Sequence, residues 1–92
     1  MPKKVKVFPI KIMDRQIKLI WDFRGFDAEK TSQHHVIHLN EFIQKNNLTQ
    51  YPITGSQILS DVHSIAYWVI PESEILNFRD ILKPHRATVY TE

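Results

Sequence analysis

Ile17-Lys18-Leu19-Ile20-Trp21-Asp22-Phe23-Arg24, then Gly25-Phe26-Asp27, then a segment carrying His34-His35-Val36-Ile37-His38: this run, residues 17–47, decides how the 92-residue chain reads. Ile17, Leu19, Trp21 and Phe23 alternate with Lys18, Ile20, Asp22 and Arg24. That is the period of a strand with one consistently apolar face. Gly25 interrupts the alternation, and Asp27 is the residue type that caps a helix N-terminus. The helix is expected over residues 27–46. Its inward stripe is Ala28, Ser32, His35, Leu39, Phe42 and Ile43, with Val36 on the flank and Ile37 on the opposite side. Asn46 and Asn47 tolerate the left-handed conformation that ends helices.

Downstream, Ile65, Tyr67 and Val69 fall on one face of a strand over residues 63–70, and Ala66, Trp68 and Ile70 on the other. A strand apolar on both faces is expected to be covered on both. Pro71 ends it and suits the first turn of a helix, whose positive end Glu72 and Glu74 favour. Ile75, Phe78, Ile81 and Leu82 form that helix's apolar side, and Pro84 stops it near Lys83. A last strand over residues 86–91 sets Ala87 and Val89 opposite Thr88 and Tyr90. Between the long helix and the 63–70 strand the signal is weaker. Tyr51-Pro52-Ile53 begins a strand, Thr54-Gly55-Ser56 bends it, and Ile58-Leu59 pairs onward after a turn at Ser60-Asp61. A single helical turn over residues 56–59 is the competing reading.

Upstream, residues 5–12 read as an extra N-terminal strand whose parity shifts across Pro9, which confines it to an edge or a bulge. Met13-Asp14-Arg15-Gln16 then makes a hairpin with residues 17–24. The succession is strand, strand, helix, one or two strands, helix, strand. It predicts one α+β domain over residues 1–92. The expected architecture is a ferredoxin-like two-layer sandwich, a mainly antiparallel sheet with both helices on one face. Fold alone assigns no function.

Composition bounds the rest. A hydrophobic share of 42% and a charged share of 24% belong to a globular chain. A domain this short buries only about 60–65% of its unfolded surface, so stability is modest or shared with a second subunit. There is no cysteine, which removes disulfides, thiolate metal sites and cysteine nucleophiles. No apolar run approaches the roughly 20 residues of a membrane span, and the N-terminus lacks the apolar core of a signal peptide. The expected location is cytoplasmic. Residues 1–24 hold seven basic and two acidic side chains, residues 25–92 five and eight. Lysines guarding an exposed sheet edge account for this asymmetry better than nucleic-acid binding does.

Helices on one side leave the other sheet face without a layer of its own. Ile20 and one of the two aromatic-bearing sets of the 63–70 strand fall there, and a contiguous apolar patch invites association. The leading expectation is therefore a small binding or structural module acting as a homodimer, with no defined catalytic motif. The alternative is a dimeric enzyme or small-molecule sensor with a ligand pocket on that face, built from Asp22, Arg24, His63 and Trp68.

A third reading is a transition-metal site. His34 and His38 are four apart and project from one side of the helix. His63 and His85 are candidate further ligands, and Asp22 or Asp61 could add oxygen; zinc, nickel or copper would accept such a set. His35, in the apolar stripe, reads as a core histidine bonded to one partner. Other motifs carry little. Asp61-Val62-His63-Ser64 has the residue types of a hydrolytic triad but is too local for its geometry. Two glycines cannot build a phosphate-cradling loop. Lys83-Pro84-His85-Arg86 reads as a basic turn complementing a helix end.

Overall fold

The computed structural model describes residues 15–91; the strand expected over residues 5–12 lies outside them. Strand β1 (Gln16–Arg24) is followed by helix α1 (Ala28–Lys45), strands β2 (Thr54–Ser60) and β3 (His63–Pro71), a 3-10 turn (Glu72–Glu74), helix α2 (Ile75–Leu82) and strand β4 (Arg86–Val89). The sheet order is β2-β3-β1-β4, and every neighbouring pair is antiparallel. β1 and β2 therefore run parallel with β3 between them, bridged by α1. β3 and β4 run parallel with β1 between them, bridged by α2.

Both helices pack on the face of the sheet that the alternation of β1 marked out. Ile17, Leu19 and Trp21 from β1 meet Ala66, Trp68 and Ile70 from β3, Leu39 and Ile43 from α1, and Phe78 from α2. Trp68 is wholly buried at the centre, its ring 5.1 Å from Phe78 and 6.2 Å from Phe42. Each such buried side chain stabilises by roughly 1.5–3 kcal/mol, and each aromatic pair adds about 0.5–1.5 kcal/mol. A buried indole N–H needs an acceptor. Trp68 Nε1 donates to the Tyr51 carbonyl and Trp21 Nε1 to the Leu82 carbonyl, both at 2.8 Å. These two bonds tie the loop after α1 and the last residue of α2 to the sheet.

The ends of the elements follow from local chemistry. Gly25 takes φ 111°, donates to the Val62 carbonyl and accepts from the Ala28 amide, which turns the chain from β1 into α1. Asp27 stands at the N-cap position, but its side chain makes no capping bond there. The Thr31 amide and hydroxyl bond the Asp27 carbonyl instead. At the other end Asn47 is left-handed (φ 58°), and Leu48 N bonds the Ile43 carbonyl while Asn47 N bonds that of Gln44. That is a Schellman exit. Lys83 is likewise left-handed, one residue before Pro84.

Two readings of the weaker stretches are corrected. Residues 54–60 form edge strand β2, so neither the bend expected at Thr54-Gly55-Ser56 nor a helical turn over residues 56–59 is found; the strand starts after residues 51–53 and carries a bulge between Ile58 and Ser60. Ile81 does not join the apolar side of α2: it is 64% exposed, while Ile75 and Leu82 pack on the core. Among the described residues no helix is long and apolar enough to cross a membrane.

The face away from the helices is not an exposed apolar sheet. Ile20, Ile65 and Val69 lie on it at 4%, 4% and 2% exposure. Along and across the strands they are flanked by Lys18, Asp22, Tyr67 and Arg86. Tyr67 lies across Gly55, where a Cβ would meet its ring, and Lys18 Nζ sits 4.4 Å from the Tyr67 ring centroid.

Candidate functional site

Two polar groupings stand out, one on the sheet face away from the helices and one on the outer side of α1. The first is centred on Asp22. In the β1–β3 register Asp22 faces Ile65, so His63 is its diagonal neighbour; in the β1–β4 register Arg86 faces Ile20 and reaches Asp22 from the other diagonal. His63 Nε2 donates to Asp22 Oδ1 at 2.8 Å. Arg86 forks onto the same carboxylate, Nε to Oδ2 at 2.9 Å and Nη2 to Oδ1 at 3.0 Å. The Asp22 and His63 side chains are largely buried, Arg86 half-exposed.

The Arg86 fork, seconded by His63, outweighs desolvation and holds the Asp22 carboxyl well below the usual carboxylate range. A carboxylate pinned in this way is anionic at any working pH and is no general acid. Below it, where β4 has not yet paired, the Asp22 amide donates to His85 Nδ1 at 2.8 Å, so the imidazole completes the ladder edge.

The pocket expected from Asp22, Arg24, His63 and Trp68 is not assembled. Trp68 points to the opposite side of the sheet, into the helix-facing core. Arg24 lies directly across from His63 at the exposed end of β1. Asp22 and His63 do come together, but the carboxylate oxygens are already engaged by His63 itself and by Arg86. Arg86, which makes the fork, was visible in the sequence only as part of a basic turn; its partner emerges from strand register. Ser64 is 1% exposed on the strand's helix-facing parity, so it cannot work with His63.

The second grouping is on α1. His34 and His38, one turn apart, bring their Nε2 atoms to 2.9 Å with the rings edge-on. His38 Nδ1 stands 3.1 Å from Glu41 Oε1. The carboxylate can only accept, so Nδ1 of His38 carries its proton. In the neutral ring Nε2 then presents a lone pair, and His34 Nε2–H donates to it. A carboxylate on one ring nitrogen of an imidazole is also the arrangement that orients metal-binding histidines; here the other nitrogen of His38 is engaged by His34.

Among the described residues, Glu41 is the side chain hydrogen-bonded to this pair, and no further histidine joins it. Among the described residues no three His, Asp or Glu side chains form a group able to hold a metal ion. His63 and His85, expected as further ligands, are committed to Asp22. His35 turns inward, 4.8 Å from Trp21 and 5.5 Å from Phe23 by ring centroids. Its Nε2 is buried with no partner among the described residues, where one partner was expected. Burial, aided by His38 and His85, pushes its pKa down. Comparison with protein-family models, with curated proteins and with solved structures finds no match.

Proposed function

We propose that the chain is a small binding module that takes up a divalent transition-metal ion at His34 and His38. The observation that carries this reading is the convergence of the two Nε2 atoms to 2.9 Å with Glu41 on the far nitrogen of His38. Two nitrogens bound to one ion at about 2.05 Å stand about 2.9 Å apart at a right angle and about 3.3 Å apart at the tetrahedral angle. The observed separation therefore matches the bite of a tetragonal copper(II) or nickel(II) chelate once the rings turn from each other toward the ion, and zinc needs a small opening of the pair as well. The ion takes the place of the shared proton, which moves to Nδ1 of His34.

The same reading has the chain working as a homodimer with a ferredoxin-like fold in the cytoplasm. The β-α-β-β-α-β succession and the order β4-β1-β3-β2 support the fold assignment. The exposed apolar side chains Ile37, Ile58, Leu59 and Val62 support self-association. The sheet face away from the helices supports it less, because Ile20, Ile65 and Val69 are already covered.

The test is metal titration of tag-free protein followed by calorimetry, with His34→Ala and His38→Ala alongside. Stoichiometric copper(II), nickel(II) or zinc uptake, lost in either variant, is expected. Uptake unchanged in both variants, or none in the parent, would overturn the reading.

A further inference from the structure

The pair supplies two nitrogens, half of a four-coordinate shell. All five histidines of the chain fall among the described residues, and the other three are placed elsewhere. We infer that a second copy of this chain completes the site: two α1 helices pair antiparallel about a two-fold axis through the His34–His38 pair, and four imidazoles close on one ion. This inference rests on the ion-binding reading above and adds the partner.

The outer side of α1 is patterned for such a pairing. Asp27, Thr31, His34, His38, Glu41 and Lys45 recur at alternating steps of four and three, and all six are exposed. That spacing is the seam of a two-helix coil. The row is also symmetric about its own centre. In an antiparallel pair with the axis between His34 and His38, His34 meets His38 of the second copy, and Asp27 meets its Lys45, once on each side of the axis. The charges at the two ends are opposite, so the self-pairing is complementary rather than repulsive. A parallel pairing would instead set Asp27 on Asp27 and Lys45 on Lys45. From Asp27 to Lys45 the seam runs about 27 Å at the helical rise of about 1.5 Å per residue.

Ile37 lies beside the seam at 54% exposure and lines a shallow depression with Glu41 and Lys45. It offers apolar contact flanking the ion. The seam itself is polar and has little hydrophobic drive of its own. Pairing through it is therefore conditional on the ion, which makes the assembly metal-gated.

Light scattering coupled to size exclusion, run on the tag-free full chain in EDTA and then with added zinc, tests this. The expected result is a 10.9 kDa species in EDTA that doubles in mass with zinc, at one ion per two chains. With copper(II) as the probe, paramagnetic resonance should show four equivalent nitrogens. Asp27→Lys and Lys45→Asp should each weaken the zinc-induced dimer, and the double variant should restore it, since the swap rebuilds both charge pairs. Circular dichroism of each variant guards against simple unfolding. One ion per chain with the mass unchanged would overturn the bridging and leave the ion-binding reading standing. No uptake at all would overturn both. A dimer that persists in EDTA and in the His34→Ala/His38→Ala variant would overturn the metal gate.

Discussion

Arg86 clamps Asp22 with both arms of its guanidinium, Nε on one carboxylate oxygen at 2.9 Å and Nη2 on the other at 3.0 Å, and so fastens edge strand β4 to β1. β4 is four residues long and wholly exposed. Its hold on the sheet depends on this fork, the His85 imidazole on the Asp22 amide and a short ladder. Asp22→Ala removes the acceptor for both His63 and Arg86. The expected loss is about 1–3 kcal/mol, enough to lower the thermal midpoint by at least roughly 4–8 °C. Arg86→Ala should follow in the same direction, and the double variant should cost less than the two singles added. Additive losses in thermal melts would show that the fork carries no coupling.

Acid should act in two windows. His35 has a depressed pKa in the folded state. Its contribution is therefore fully present above the unfolded value of about 6.5 and is lost as pH falls toward the folded value. Asp22 is also depressed. Its contribution is present above about 4, the unfolded value, and declines only below that. Denaturant melts across pH 3–8 should show the upper step and the onset of the lower, and His35→Phe should remove the upper one while leaving that onset. An unchanged profile in His35→Phe would contradict this assignment.

Gly25 holds φ 111° with open space where a side chain would project. Gly25→Ala thus meets no clash, yet forces an L residue into a conformation that costs about 1–3 kcal/mol. The expected outcome is a lower denaturant midpoint with an unchanged slope. A neutral result would mean the β1–α1 turn relaxes to another geometry.

Glu41 touches His38 but is not a ligand in the proposed site. Glu41→Gln keeps the size and removes the charge that holds the His38 proton on Nδ1. Metal affinity should drop roughly tenfold or more, with helix content by circular dichroism unchanged. Glu41→Ala should do the same, and Gln44→Ala, which is exposed on the same helix, should leave affinity alone.

Much of the architecture was legible because period and punctuation agree. Alternation assigned Trp21 and Leu19 to the core side of β1, and the 3.6-residue stripe found Ser32, Leu39 and Ile43 within α1. Asn47 at the helix exit and Pro84 beyond α2 marked both stops. Residues 54–60 were ambiguous because Thr54, Gly55 and Ser56 carry no apolar period; pairing with β3, not local preference, makes them a strand. Ile81 was misplaced because α2 is only eight residues long and packs through Phe78 and its neighbours, leaving no room for a wider apolar side.

The site divides along the same line. That His34 and His38 share a helix face follows from helical geometry, so the sequence by itself determined the pair, the two-sided apolar character of residues 63–70 and the places of both helices. Only the tertiary structure decided which side Trp68 would take, that Arg86 rather than Arg24 would hold Asp22, and that His63 and His85 would be drawn away from the helix pair. The physical reason is range. Side-chain direction within one element is set by backbone periodicity, whereas partners across 41 to 64 residues of chain are set by strand register, which no local pattern encodes.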